Sequence, residues 1–249
     1  MLEINDINLT FHEGTSREVK ALKHVNLAIE KGSFTLLLGS NGSGKSTLLN
    51  ILAGTLFPNS GTIILDGKEL QTTQAYRRSP YIARVFQNPT LGTAPDLSLV
   101  DNFRIASLRT QSKGLKIGIN AAFRKKVAEH VSILNLGLEN RLDQLMGSFS
   151  GGQRQALSLL MATFDTLDLL LLDEPTAALD PRSADLVLNL ANRIIKEKNL
   201  TAIMVTHELH HCLKVGDRII QLDQGEVIRD IAANQKSSLR LDVVFSWFA

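Results

Sequence analysis

The chain is expected to form an α/β fold: a parallel sheet with helices on both faces, an N-terminal antiparallel β subdomain and an inserted α-helical subdomain. One ground is the apolar run at residues 33–38, stopped by Gly39-Ser40-Asn41-Gly42-Ser43-Gly44-Lys45-Ser46-Thr47, which fits the phosphate-loop pattern GxxxxGK[ST]. A second is the run at residues 169–172, four leucines closed by Asp173-Glu174. The third is a change of pattern after residue 88, where turn residues give way to helical spacing. Strands alternating with helices around such a loop imply parallel strands buried on both sides.

Taken in order, Leu2, Ile4, Ile7 and Leu9, then Val19, Leu22, Val25, Leu27 and Ile29, alternate with polar neighbours. This predicts short antiparallel strands of a side sheet. Residues 33–38 read as a buried strand, residues 46–53 as the helix behind the loop, and Asp66-Gly67 as a tight turn after residues 62–65. Residues 121–136 place Val127, Val131 and Leu134 on one helical face. They fall in a helical subdomain of about 88–164, set into a core of about 1–87 and 165–249. Then follow a helix at 151–164, a strand at 169–172, a helix at 184–197, a strand at 201–205, and a meander of 218–222 and 227–230.

With 44% hydrophobic and 21% charged residues, the chain has the balance of a soluble domain that buries a sizeable core. A formal charge of +2 brings no dense basic block, so nucleic acid is not an expected partner. The densest run, Arg124-Lys125-Lys126, reads as a solvated helix face. A single cysteine, Cys212, excludes an intrachain disulfide and fits a reducing compartment. Residues 1–6 lack the pattern of a signal peptide, and no apolar run reaches the roughly 18–20 residues that span a bilayer. Work at a membrane would require another chain to hold the protein there.

Glycines in residues 39–47 let successive backbone N–H groups converge on phosphate oxygens, with the positive end of the following helix behind them. Lys45 would bridge β- and γ-phosphates, Ser46 would ligate Mg²⁺, and Thr47 would bond the α-phosphate. Asp173 ends an apolar strand and so arrives at the carboxyl edge of the sheet, where it would hold Mg²⁺ through water. Glu174, one residue on, would reach an attacking water as general base. Ser150-Gly151-Gly152-Gln153 starts a helix whose free N–H groups make a second anion site, with glycines admitting a second protein surface. His207-Glu208-Leu209-His210-His211 matches the zinc-protease pattern H-E-x-x-H, but His207 comes straight off a strand, so the match is read as coincidence. The tail, residues 243–248, is expected to pack on the domain.

The loop at 39–47, Ser150-Gly151-Gly152-Gln153 and Asp173-Glu174 together resemble the ATP-binding subunits of ABC transporters, from the N-terminus to about Gly225. Phe149 departs from the leucine usual in that family. The resemblance implies an ATPase, ATP and Mg²⁺, a second ATPase subunit and an integral-membrane permease at the cytoplasmic face of the inner membrane, with a substrate-binding protein as a further partner. In it, Ser150-Gly151-Gly152-Gln153 binds the γ-phosphate of ATP held by the other subunit. Gln87 corresponds to a glutamine touching Mg²⁺ or water, Asp180 to the aspartate coupling the two sites, and His207 to the switch histidine on the γ-phosphate. Phe11 is the aromatic chosen to stack on adenine.

A narrower resemblance, to bacterial uptake ATPases assigned to tryptophan, tyrosine or related solutes, rests on four stretches. They are Val85-Phe86-Gln87-Asn88-Pro89 with Gly92-Thr93-Ala94, Gly114-Leu115-Lys116-Ile117-Gly118, Gln153-Arg154-Gln155-Ala156-Leu157 and Leu160-Met161-Ala162-Thr163. Exporter or lipoprotein-release ATPases, and soluble ATPases of the same family, share the nucleotide motifs and stand as alternatives.

Overall fold

The computed structural model describes residues 1–110 and 118–248. Its strands are β1 (Leu2–Phe11), β2 (Val19–Ile29), β3 (Phe34–Leu38), β4 (Ser60–Leu65), β5 (Lys68–Glu69), β6 (Ile82–Val85), β7 (Leu169–Asp173), β8 (Thr201–Val205), β9 (Arg218–Asp223) and β10 (Glu226–Ile231). Its α-helices are α1 (Lys45–Ala53), α2 (Ala75–Arg78), α3 (Leu99–Ser107), α4 (Ala121–Val131), α5 (Gly151–Ala162), α6 (Pro181–Glu197), α7 (Leu209–Lys214), α8 (Ala233–Lys236) and α9 (Leu241–Ser246).

An antiparallel sheet runs β2-β1-β4-β5, and a six-stranded sheet runs β10-β9-β3-β8-β7-β6, parallel except for β10. The parallel strands are buried on both faces, and their side chains alternate between two apolar clusters. Leu36, Leu38, Leu170, Leu172, Ala202 and Met204 face the helical side, with α3, α4, α5 and α6. Leu37, Leu169, Leu171, Ile203 and Val205 face α1 and the antiparallel sheet. This is the period-two burial that an all-apolar strand such as β7 requires. Phe103, Val127 and Val131 of the inserted helices join the same cluster as Leu36, so the insertion packs into the core.

Several boundaries differ from the sequence expectation, each for a local reason. β1 and β2 are ten and eleven residues long, because bulges with Asp6 and His24 at φ 50° and 48° interrupt the alternation without ending pairing. Val19 is exposed, off the buried face. The helix expected over 121–136 stops at Val131, where the chain tightens into a 3₁₀ turn and Asn135 goes left-handed at φ 54°. α5 ends at Ala162. α6 begins at Pro181, not 184, because the Asp180 side chain accepts from the Arg182 and Ser183 N–H groups at 3.1 Å each. α3, capped reciprocally by Ser98 and Asp101, and β6 were not anticipated.

Arg124 and Lys126 do more than solvate α4. Arg124 pairs with Asp143, and Lys126 with Asp165 at 3.2 Å and over the Phe164 ring at 4.1 Å. Of the stretch 114–118, only Gly118 lies among the described residues. Arg78, fully buried, donates to the carbonyls of Ile51, Leu52, Leu70 and Thr73, and so closes the C-terminal end of α1.

His130 on α4 faces the Phe103 and Phe164 rings and meets the Leu160 carbonyl at 3.1 Å. Burial first, then the charge of Lys198, lowers its pKa to about 4. The unfolded chain therefore holds a proton that the folded chain excludes, so this stability is full above about pH 6.5 and is lost as pH falls through about 4. Between those limits the loss is about 3 kcal/mol, and His130→Gln should remove that part of the pH dependence in urea unfolding at pH 7 and pH 4.5.

Candidate functional site

Parallel pairing brings the carboxyl ends of four adjacent strands to one edge. Leu37 pairs with Val205, Val205 with Asp173, and Leu172 with Val85. Residues 39–47 leave β3, His207 follows β8, Asp173 and Glu174 end and follow β7, and Gln87 follows β6.

At the loop, α1 starts without a side-chain cap, behind Gly44, whereas α3, α5 and α6 are capped by Ser98, Ser150 and Asp180. Its first-turn N–H groups and dipole are left for an anion. Gly42 holds φ 81° with nothing within 4 Å of a would-be Cβ, so its backbone conformation, not crowding, calls for glycine. Lys45 is buried, and its Nζ donates to the Gly39 and Ser40 carbonyls at 2.8 Å each. Burial lowers its pKa, against the raising effect of the Glu174 and Asp173 charges. Ser43 is buried inside the loop, Ser46 is exposed on the first turn, and Thr47 is half-buried.

The two acidic residues are held differently. Asp173 Oδ2 accepts from Arg84 at 2.5 Å, and the same guanidinium donates to Asn50 Oδ1 of α1 at 2.6 Å and lies 4.9 Å over the Phe86 ring. Arg84 and Asn50 were missed in the sequence; the only signal was an arginine inside an apolar strand. Glu174 adopts φ 45°, left-handed for a residue with a Cβ, and its N–H donates to the Val205 carbonyl at 3.1 Å. Its Oε2 lies 3.1 Å from His207 Nδ1. His207 sits in the link between β8 and α7, off the helix that carries His210 and His211, while His211 pairs with Glu208 at 3.2 Å. The zinc-protease pattern therefore lacks its two histidines on one helix face.

A cavity of about 550 Å³ opens here, bordered by Gly39, Ser40 and Asn41 with Glu174, His207 and Leu209. Its size suits a small-molecule ligand. An uncapped helix end and Lys45 match a polyphosphate, and the Ser46 hydroxyl with the Asp173 carboxylate are hard oxygen donors of the kind Mg²⁺ takes beside phosphates.

Of the loop, only Gly39, Ser40 and Asn41 border this cavity; residues 42–47 and Asp173 lie beside it rather than in its lining. Phe11, Gln87, Asp180 and Ser150-Gly151-Gly152-Gln153 do not border it either. Phe11 is half-buried against the antiparallel-sheet cluster, and Gln87 is exposed. Just before Gln87, the Phe86 carbonyl accepts from Nε2 of fully buried Gln155, a tie from α5 that sequence reasoning did not single out as a site. Ser150 accepts from the Gln153 N–H at 3.3 Å, and Gln153 Oε1 accepts from the Ser150 N–H at 3.1 Å. A Cβ on Gly152 would stand 2.4 Å from Ser183 Oγ, whereas one on Gly151 would meet only Leu179 at 3.9 Å. Gly152 is thus required by packing within the chain, next to the helix that Asp180 caps, and only Gly151 is free of that demand. Phe149 is buried with Arg141 stacked 5.2 Å over its ring, so the larger side chain is absorbed inward.

Residues 22–177, more than half the chain, match the family model described as ABC transporter. A tyrosine transport ATP-binding protein of Clostridioides difficile is 38% identical over 251 residues, covering 100% of this chain and 98% of that protein. A xylose/arabinose import ATP-binding protein of Sulfolobus acidocaldarius is 36% identical, covering 92% and 86%. Among solved structures, a dimeric ATP-binding cassette in a post-hydrolysis state bound to ADP and Pi superposes with a TM-score of 0.80 at 28% identity, covering 94% of this chain and 99% of that one. A nucleotide-free ATP-binding cassette from an ABC transporter gives 0.79 at 25% identity, covering 99% and 95%. With the loop, the acidic strand end and the cassette architecture already in place, the chain belongs to the ABC transporter family, as an ATP-binding subunit that hydrolyses ATP.

Proposed function

We propose that this ATPase powers a membrane permease that takes up an amino acid or similar small organic solute, and that hydrolysis occurs in the cavity beside residues 39–47. The observation that carries the site assignment is the 3.1 Å Glu174–His207 contact bordering the same cavity as the loop. Lys45 exchanges the Gly39 and Ser40 carbonyls for β- and γ-phosphate oxygens, joined by the first N–H groups of α1, with Thr47 on the α-phosphate. Ser46 and, through water, Asp173 would hold Mg²⁺, with Gln87 on the metal or its water, and Phe11 would stack on adenine. Bound there, Mg²⁺ would supply neutralisation of the phosphate charge.

Glu174 accepts a proton from the attacking water as its oxygen bonds to the γ-phosphorus. The bond to the β–γ bridging oxygen breaks, giving ADP and inorganic phosphate. His207 contacts the γ-phosphate and keeps Glu174 oriented. The left-handed backbone at Glu174, a conformation that costs on the order of 1–3 kcal/mol, fits a residue retained for chemistry rather than stability.

Two copies then sandwich two ATP molecules, each site completed by Ser150, Gly151, Gly152 and Gln153 of the second copy, with Asp180 coupling them. The start of α5 at Gly151, where a Cβ would meet only Leu179 at 3.9 Å, supports this reading by leaving room for a second surface. No helix among the described residues is long and apolar enough to cross a membrane, in keeping with a peripheral place on the cytoplasmic face through the permease. The uptake assignment leans on the tyrosine-transport relative, which matches over the full chain.

Glu174→Gln should lower ATP turnover by about a thousandfold and trap an ATP-bound dimer on size exclusion; rapid turnover would rule out the base assignment. Glu174→Gly should also be inactive yet unfold at higher urea, by about 1 kcal/mol relative to Glu174→Gln, because glycine accepts the left-handed φ. Affinity purification from gently solubilised membranes should bring down a multi-span permease and a substrate-binding lipoprotein. A permease with large extracytoplasmic domains and no binding protein would instead establish export.

A further inference from the structure

The cavity has a wall that belongs to none of the nucleotide motifs. Phe245 and Phe248, from the last residues of the chain, line it together with Glu174 and His207. The segment that carries them is firmly seated. Val244 is fully buried, the Trp247 carbonyl accepts from Gln221 Nε2 at 3.3 Å, and Arg229 lies 5.3 Å over the Trp247 ring while donating to Gln221 Oε1 at 2.6 Å. Lys236, upstream, is tied to the Val215 and Gly216 carbonyls at the far end of α7. Yet Phe245 and Phe248 remain 49% and 38% exposed, so core packing does not account for two aromatic rings at this place.

Among the described residues, Phe245 has one aromatic partner. Its ring meets that of His210 edge to face, with centroids 5.8 Å apart and planes at 76°. His210 stands on the first turn of α7, three residues after His207. His207 itself belongs to neither β8 nor α7, and its backbone is positioned by those flanking elements. The seat of α7 therefore decides how His207 meets Glu174, and α9 is packed directly on α7.

We propose that α9 is a positioning element of the hydrolytic site. Phe245, acting through His210, braces α7 so that His207 stays in reach of Glu174, and Phe245 with Phe248 walls the same cavity against bulk water. This inference rests on the assignment of Glu174 and His207 to hydrolysis. A displacement of His207 by a fraction of an ångström leaves ATP binding at the loop intact but loosens the Glu174 geometry, so the effect belongs on kcat rather than on KM.

The test is steady-state ATP hydrolysis by the full chain, in the complex with which it purifies, with thermal unfolding of each variant alongside. Phe245→Ala should lower kcat about tenfold, with KM for ATP within about twofold and the unfolding midpoint within a few degrees. His210→Ala should do the same, the double variant should be no worse than either single one, and Phe245→Tyr, which keeps the ring, should restore kcat. An unchanged kcat in Phe245→Ala, or effects of Phe245→Ala and His210→Ala that multiply, would overturn the bracing. So would kcat and unfolding midpoint falling together in Phe245→Ala and Phe245→Leu, which would make the tail a part of the fold alone. Glu174→Gln in the same assay separates the two levels: if it turns over normally, the hydrolytic assignment fails and the positioning role fails with it. If it is inactive while Phe245→Ala is normal, only the positioning role is lost.

Discussion

The parallel hydrogen-bonded ladder of β3, β8, β7 and β6 is what the site depends on. Each strand contributes little by itself: a loop, a histidine, two carboxylates, a glutamine. Register brings them together, since Leu37, Val205 and Asp173 are successive partners across three strands, and Leu172 and Val85 pair across β7 and β6. Register is in turn held by burial on both faces. A one-residue slip of β7 would exchange Leu169 and Leu171 with Leu170 and Leu172 between two different apolar clusters, and would withdraw Asp173 from the edge.

Along that edge, each ionisable group has a polar partner before any ligand arrives. Lys45 rests on the carbonyls of its own loop, Asp173 on Arg84, and Glu174 against His207. Nucleotide binding in this arrangement exchanges partners rather than introducing bare charges into a partly buried site, which limits its desolvation cost. Arg84 also joins Asp173 to Asn50 near the end of α1, and Arg78 closes that helix's last carbonyls. The two ends of α1 are therefore treated oppositely: the C-terminal end is satisfied by a buried cation, and the N-terminal end is left open for an anion.

The segment at 150–153 follows a different logic. Its capping box satisfies the Ser150 and Gln153 N–H groups but not those of Gly151 and Gly152. Gly152 is consumed by the approach of Ser183, leaving Gly151 as the position without an internal demand. A start of helix built in this way presents a pre-organised face, as the proposed contact with a second copy would need. The C-terminal aromatic helix adds Phe245 and Phe248 to the wall of the cavity that Gly39, Glu174 and His207 also line, so the cavity is bordered by residues far apart in the chain.

The phosphate loop, the acidic strand end and the start of α5 were legible in residue order because each depends on local chemistry: glycine at left-handed or crowded positions, apolar runs of strand length, and a capping Ser–Gln pair. The sequence likewise settled the alternation of strands and helices, and so the parallel sheet. Strand boundaries at Asp6 and His24, the early stop of α4 at Val131 and the start of α6 at Pro181 were not legible, because bulges and caps are chosen by neighbours in space. Arg84 beside Asp173, Gln155 beneath Phe86, and Phe245 against His210 join residues far apart in the chain, and no spacing rule links them. Local propensity and periodicity act over a few residues, whereas partners of this kind are selected only when the packed core brings distant segments within hydrogen-bond or ring-contact range.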